Sequence, residues 1–247
     1  MGNFTRFRPK DCIFYPIENH YNLMLKCLLL IKTQLNQPPA TRKNNMNKTL
    51  VLASDNLGKI AEFNALLAAH GMTVTAQSAL GVSPCDEPYL SFVENALHKA
   101  RHASKMTGLP ALADDSGLCV AALNGAPGVF SARYAGEPSN AAANNAKLLT
   151  NMAHQPQKSA YFVCVLVLVR HEHDPQPLIA QGTFYGEVAT QACGTNGFGY
   201  DPVIFLPEHG CHVAELAPDV KNRISHRAQA LSHLLQQMQQ ANLLTHS

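Results

Sequence analysis

The chain has 247 residues, 46% of them hydrophobic and 15% charged, with a formal net charge of +2. That is enough length for one large domain or two small lobes, and too little charge to argue for nucleic-acid or membrane-surface binding. Seven cysteines, an odd number with no C-x-x-C spacing, fit reduced thiols better than a disulfide framework, and no run of about 18 apolar residues offers a membrane span.

Residues 1–45 carry seven Lys/Arg against Asp11 and Glu18, leaving 12 basic and 15 acidic side chains in the rest. Their periodicity is poor. The apolar run 23–31 is short and interrupted by Lys26, and residues 37–45 read as a linker. Met46 stands just before the first good strand. Residues 1–45 are therefore expected to be an N-terminal extension upstream of the true start, with 46–247 as the folded domain.

Leu50, Val51, Leu52 and Ala53 read as a buried strand. Ser54, Asp55 and Asn56 then favour a turn. Beyond Leu57, Gly58 and Lys59, apolar positions 60, 63, 66 and 67 recur at helical spacing. A helix N-terminus offers unpaired N–H groups and partial positive charge to an anion. Lys59 in the first turn opposes the helix dipole, an unfavourable placement that an anionic ligand reverses. These residues fit a phosphate loop or a plain capped helix start; the G-x-x-x-x-G-K-[ST] pattern is absent.

Residues 72–76 form a second expected strand, β-branched at Thr73, Val74 and Thr75. The loop 84–90 carries Asp86 and Glu87. Ser91 and Glu94 make a capping box for a helix to about Thr107, with Phe92, Ala96, Ala100 and Ala103 along one side and Lys99, Arg101 and Lys105 on the other. Residues 111–113 read as a short buried strand ending in an Asp114-Asp115-Ser116-Gly117 turn. Residues 140–152 read as a helix. The unbroken apolar run at 160–170 suggests a central strand covered on both faces. Residues 177–185 and 186–190 look like two further strands, 194–202 a flexible aromatic loop, and 206–215 irregular chain. Residues 225–240 close as an amphipathic helix on Ala228, Leu231, Leu234, Leu235 and Met238.

Ionising two carboxylates at the end of a buried strand needs compensation. Asp114-Asp115 thus suits Mg²⁺, which is held by one or two carboxylates plus phosphates; Asp86-Glu87 is a second acidic pair. A solvated turn is the plain alternative for each. Ser225-His226-Arg227, with Lys221 four residues earlier, gathers donors suited to phosphate, but alone it reads as an ordinary helix start. His171-Glu172-His173-Asp174 suits surface chelation at best. His209, Cys211 and His212 lack a matching second pair, so no zinc site is expected from them.

Six separated blocks in order carry a resemblance: Ser54-Asp55-Asn56-Leu57-Gly58-Lys59, Phe92-Val93-Glu94-Asn95-Ala96, Ala113-Asp114-Asp115-Ser116-Gly117-Leu118, Gly128-Val129-Phe130-Ser131-Ala132-Arg133-Tyr134, Gly197-Phe198-Gly199-Tyr200-Asp201-Pro202 and Ser225-His226-Arg227. Together they resemble the non-canonical purine NTP pyrophosphatase family, or inosine triphosphate pyrophosphatases, from about Met46 to about Met238. The resemblance implies an α/β fold: an elongated mixed β-sheet with flanking helices, and two lobes around a central nucleotide-binding cleft. It also implies a cytoplasmic, homodimeric, Mg²⁺-dependent hydrolase converting ITP, dITP and XTP to monophosphate and pyrophosphate. Ser54 to Lys59 would contact the triphosphate. Asp115 would be general base and metal ligand, Ser116 a substrate contact, and Asp86 or Glu87 a second metal ligand. Phe198, Gly199, Tyr200, Asp201, Lys221, His226 and Arg227 would line the nucleoside side. Ser54-Asp55 and Pro88-Tyr89 depart from the Thr-Gly common in the family at both places, and Asp55 would add negative charge near the phosphates. A nucleotide-sensing module without turnover, and a pyrophosphatase for modified pyrimidine nucleotides, are the competing classes.

Overall fold

The computed structural model describes residues 49–68 and 70–244; the expected extension, 1–45, lies outside them. The described strands are β1 (Thr49–Leu52), β2 (Thr73–Ala76), β3 (Ala111–Val120), β4 (Ser159–Val169), β5 (Leu178–Val188), β6 (Ile204–Leu206) and β7 (Cys211–His212). The helices are α1 (Leu57–Ala68), α2 (Phe92–Thr107), α3 (Ala141–Met152), α4 (Pro218–Ile224) and α5 (His226–Gln240). The strands form one mixed sheet in the order β2-β1-β3-β4-β5-β6-β7. β1 runs parallel to β2 and β3, and every pairing from β3 to β7 is antiparallel. The expected mixed sheet with flanking helices is what forms.

Side-chain alternation along the strands divides the core. Leu50, Leu52, Leu112, Leu166 and Leu168 point to one face, against Phe63 and Leu67 of α1 and Leu231, Leu234 and Met238 of α5. Val51, Ala111, Ala113, Val163, Val165 and Val167 point to the other, against Ala96, Ala100 and Ala103 of α2. A third cluster joins Leu118, Phe162 and Phe184 to Leu148 and Met152 of α3. β4 is the middle strand, and Phe162 to Val169 are all buried, as its unbroken apolar run requires.

The helix starts are capped locally. Asn56 Oδ1 accepts the Lys59 N–H at 3.1 Å, Asn140 Oδ1 the Ala143 N–H at 3.0 Å, and Ser225 Oγ the Ala228 N–H at 3.2 Å. At α2, Ser91 Oγ accepts from Glu94 N–H, but the second arm of the expected box differs: the Glu94 carboxylate takes the Ser91 hydroxyl at 2.6 Å.

Several expectations are corrected. β3 does not end at Ala113: it pairs with β4 from Ala111↔Val169 to Val120↔Ala160, so Asp114, Asp115, Ser116 and Gly117 lie inside a strand. Asp, Ser and Gly have weak strand preference, and here the long partner strand overrides it. The two strands expected at 177–190 are one, β5. Gly186 is no break; a Cβ there would sit 2.7 Å from Ile204 Cγ2 and 2.8 Å from Phe205 O, so the glycine allows β6 to approach. The chain expected to be irregular at 206–215 contains β7, which pairs with the end of β6, and α4 adds an unexpected short helix. On α5 the fully buried alanine is Ala230, whereas Ala228 is half-buried.

α5 crosses β5 at Gly182, where a Cβ would overlap His226 O and lie 2.5 Å from Ala230 N. Gly182→Ala is therefore expected to lose about 1–3 kcal/mol or more through overpacking, read as a lower urea midpoint. His226 and Arg227 ride on the turn that such a Cβ would displace. An unchanged midpoint would contradict this close approach.

Candidate active site

β1 makes its last pair with β3 at Leu52↔Leu112. Ala53 N–H still reaches Leu112 O at 2.9 Å, and the chain then swings away into α1. From Ala113 onward β3 keeps β4 on one side and, among the described residues, has no strand partner on the other. Such a gap beyond the carboxyl end of a parallel strand is where open α/β sheets bind ligands. Strand alternation then sends Asp114 and Ser116 to the α1/α5 face and Asp115 to the α2 face.

On the α1/α5 face lies a cavity of about 370 Å³, lined by Asn56, Lys59, Ser116, Phe198, Gly199, Tyr200, Asp201, Lys221, His226 and Arg227. Asp114 is fully buried beneath it. Its carboxylate pairs with Lys59 Nζ and lies 3.4 Å from Arg227 Nε; it accepts the Ser116 hydroxyl at 2.5 Å and the Cys164 thiol at 3.1 Å. Burial opposes the charge on Asp114, but Lys59 and Arg227 overcome it and hold the carboxyl well below its usual range. Arg227 is itself buried and bridges Asp114 to Glu62 of α1. Its guanidinium stays charged, because these carboxylates outweigh desolvation.

His226 stacks on Phe162 at 5.1 Å between centroids. Burial first, and the Arg227 charge second, push its imidazole well below the usual value, so it is neutral. Its Nδ1 is buried with no hydrogen-bond partner among the described residues.

The loop expected to be flexible is tied down. Asp201 Oδ2 accepts Phe198 N–H at 2.8 Å and Lys221 Nζ at 2.7 Å, while Tyr200 O–H donates to Ser131 O at 2.8 Å. Asn145 Nδ2 donates to Gly199 O at 3.0 Å. Gly197, at φ 77°, is required: a Cβ would overlap Asp201 Oδ2. The Phe198 ring thus sits under two cations, with Lys221 Nζ 4.7 Å and Arg227 Cζ 5.6 Å from its centroid.

On the α2 face, Lys99 Nζ lies 2.8 Å from Asp115 Oδ1 and 2.6 Å from Glu87 Oε1, and Arg133 stands 3.7 Å from Glu87 Oε2. Asn95 exchanges hydrogen bonds with the Tyr89 backbone at 3.0 and 3.2 Å and reaches Asp115 Oδ2 at 3.5 Å, tying the Glu87 loop to the strand. Burial pushes the Asp115 carboxyl up, with Lys99 opposing it. Burial acts the same way on Glu87, but there Lys99 prevails and the carboxyl falls below its usual value. Asp86 is exposed.

The sequence profile of the Ham1 family matches residues 50–237. The chain belongs to the Ham1 family. The dITP/XTP pyrophosphatase of Neisseria meningitidis serogroup B is 57% identical over 190 residues, 76% of this chain and 96% of that protein. That of Nitrosomonas europaea is 58% identical over 193 residues, 78% of this chain and 95% of that protein. The structure of a HAM1 protein from Coxiella burnetii matches with a TM-score of 0.73 at 48% identity, covering 78% of this chain and 98% of that one. The Staphylococcus aureus Ham1 protein matches with 0.70 at 38% identity, covering 78% and 98%.

In this Ham1 chain the expected site residues separate into three groups. Asn56, Lys59, Ser116, Phe198, Gly199, Tyr200, Asp201, Lys221, His226 and Arg227 share the cavity, while Asp115 and Glu87 share Lys99 on the opposite face. Ser54, Asp55, Leu57, Gly58 and the exposed Asp86 belong to neither. Ser54 Oγ accepts Asn56 N–H at 3.3 Å, Asp55 spends its carboxylate on Ser78 N–H at 3.2 Å, and Leu57 is 81% exposed. Lys99, Asn95, Arg133 and Glu62 were not among the expected site residues. Lys99, expected on the helix face opposite Phe92, Ala96, Ala100 and Ala103, is half-buried. It stands one turn after Asn95 and beside the 92/96/100 stripe, and that spacing is its only sequence signal. Of the cavity wall formed by Ser131, Ala132, Ser139, Ala141 and Asn144, only Ser131 and Ala132 fall in one of the ordered sequence blocks.

Proposed function

We propose that this chain hydrolyses ITP, dITP and XTP to the monophosphate and pyrophosphate. One observation carries the reading: an aromatic, cation-flanked cavity lined by Lys59 and an Asp115–Glu87–Lys99 cluster lie on opposite faces of the sheet, and Lys59 is near enough to the cluster for its charge to lower both the Glu87 and the Asp115 carboxyls. That division suits a ligand with a flat polar head and a polyanionic tail. Relatives named dITP/XTP pyrophosphatase, 57–58% identical over most of this chain, support it.

Phe198 offers a stacking face, with Lys221, His226 and Arg227 as polar contacts. Lys59 and the α1 N-terminus receive phosphate oxygens. Asp115 takes a proton from water as the water oxygen bonds to the α-phosphorus; the bond from that phosphorus to the bridging oxygen breaks, and pyrophosphate leaves. Lys99 holds Asp115 and Glu87 in register. Two carboxylates converging on one ammonium form an oxygen donor set that fits Mg²⁺, so Asp115 and Glu87, rather than the exposed Asp86, are the proposed ligands. When bound, Mg²⁺ neutralises phosphate charge and makes water more acidic. A domain spanning residues 46–247, homodimeric assembly and a cytoplasmic location belong to the same proposal; among the described residues no helix is long and apolar enough to cross a membrane.

The test is a panel of nucleoside triphosphates with Mg²⁺, scored for pyrophosphate against phosphate. Pyrophosphate from ITP, dITP and XTP is the expected result. Binding without turnover would favour a sensing module, and turnover confined to modified pyrimidine nucleotides would favour the other enzyme class. A 6-keto oxygen accepts a hydrogen bond, whereas adenine's 6-amino group leaves a buried donor unpaired, at about 1–3 kcal/mol per contact. Lys221→Ala is therefore expected to reduce the ITP/ATP ratio of kcat/KM by about tenfold to a hundredfold. A ratio equal to the parent's would assign Lys221 to phosphate binding instead.

A further inference from the structure

Two segments that build the cavity share a root. The Phe198–Asp201 loop begins just after Cys193, and the segment leading to Lys221 passes through His212 and Glu215. Asn196 N–H donates to Ala214 O at 2.9 Å and its Nδ2 to Leu216 O at 3.1 Å, so the segments pack together. At this root a thiol, an imidazole and a carboxylate converge. Cys193 Sγ lies 3.3 Å from Glu215 Oε1 and His212 Nδ1 3.0 Å from Glu215 Oε2; one donor atom from each of the three residues lies within 4.8 Å of the others. The backbone N–H of His212 donates to Glu215 Oε2 at 2.7 Å and steadies the carboxylate. Nδ1 is the His212 nitrogen turned to the cluster. Nε2 is buried with no partner among the described residues, and the ring meets Phe205 edge-on at 5.6 Å. Cys193 and His212 are half-buried and Glu215 is exposed, so one side of the cluster opens to water.

We propose that Cys193, His212 and Glu215 form a binding site for a divalent ion of the zinc class, separate from the nucleotide cavity, tying the Phe198 loop to the segment that carries Lys221. One sulfur, one imidazole nitrogen and one carboxylate oxygen make a zinc-type donor set with a fourth position left for water. Mg²⁺ takes oxygen ligands, so this cluster discriminates against the ion proposed for hydrolysis. None of the three residues lines the cavity. Without metal, the Cys193 S–H and the His212 Nδ1–H both point to Glu215. On binding, the thiol releases its proton to solvent and sulfur donates an electron pair to the ion. The imidazole proton moves to Nε2, freeing the Nδ1 pair, and no electron is transferred. His212 thus finds a partner across the root of the loop, in Cys193, and not in its chain neighbours His209 and Cys211.

The test uses the full chain, reduced and free of nucleotide, titrated with Co²⁺ as a visible substitute for Zn²⁺. A saturable near-ultraviolet thiolate-to-cobalt charge-transfer band is expected, abolished by added Zn²⁺ and insensitive to excess Mg²⁺. Cys193→Ser should remove it and Cys85→Ser should keep it. If Cys193→Ser does not fold, as judged by its unfolding midpoint, loss of the band in His212→Gln supports the site and retention overturns it. Absence of the band in the parent, or its persistence in folded Cys193→Ser, also overturns it. The readout needs no turnover, so it stands or falls separately from the proposed hydrolysis.

Discussion

Asp115→Asn is expected to lower kcat by about 10²-fold or more, the scale of a lost positioned base, with folding intact. Asparagine keeps the side chain's shape and an oxygen for Lys99, which lies 2.8 Å from Asp115 Oδ1, and the Asn95 contact is weak at 3.5 Å. What disappears is the negative charge, and with it both basicity and one carboxylate of the proposed metal pair. Lys99 keeps Glu87 as a counter-ion at 2.6 Å, so no buried cation is stranded. Steady-state kinetics on ITP, with a urea unfolding curve on the same sample, checks both halves. Near-parent turnover in a folded variant would remove Asp115 from the role.

Asp114→Asn should behave in the opposite way, as a failure of stability. Its carboxylate is fully buried between Lys59 and Arg227, and Arg227 is itself buried. Removing one partner of a buried ionic network typically loses about 3–5 kcal/mol, because the remaining charges are left uncompensated; among the described residues only Glu62 would remain paired with Arg227. The pH dependence has a definite sign. The folded carboxyl titrates well below its usual value, so the unfolded state binds more protons as pH falls through the unfolded pKa of about 3.9. The contribution is complete above that value and is lost as pH falls towards the depressed one. The parent should therefore lose stability more steeply in acid than Asp114→Asn, and the gap between them should narrow. Urea midpoints at neutral pH and in acid measure this. Equal midpoints at neutral pH would show that Asp114 does not hold the two cations in the fold.

These neighbouring aspartates mark the boundary between what is local and what is not. Hydrophobic period, caps and turn residues are properties of a few consecutive positions. They alone determine β1, α1, α2, α3, β4 and α5, and they place Lys59 at a helix start and Ser225 at a cap. The ordered blocks of residues likewise determine the family. Nothing local makes Asp114-Asp115 a strand interior, because the run Asp114-Asp115-Ser116-Gly117 looks like a turn; the ladder to β4 decides that. Once they are in a strand, alternation puts Asp114 with Lys59 and Arg227 on one face and Asp115 with Lys99 on the other. Glu62 and Arg227 are 165 positions apart, and Cys193 and Glu215 belong to different segments. Such contacts depend on which elements the sheet order brings together, and a pattern confined to neighbouring residues carries no record of them.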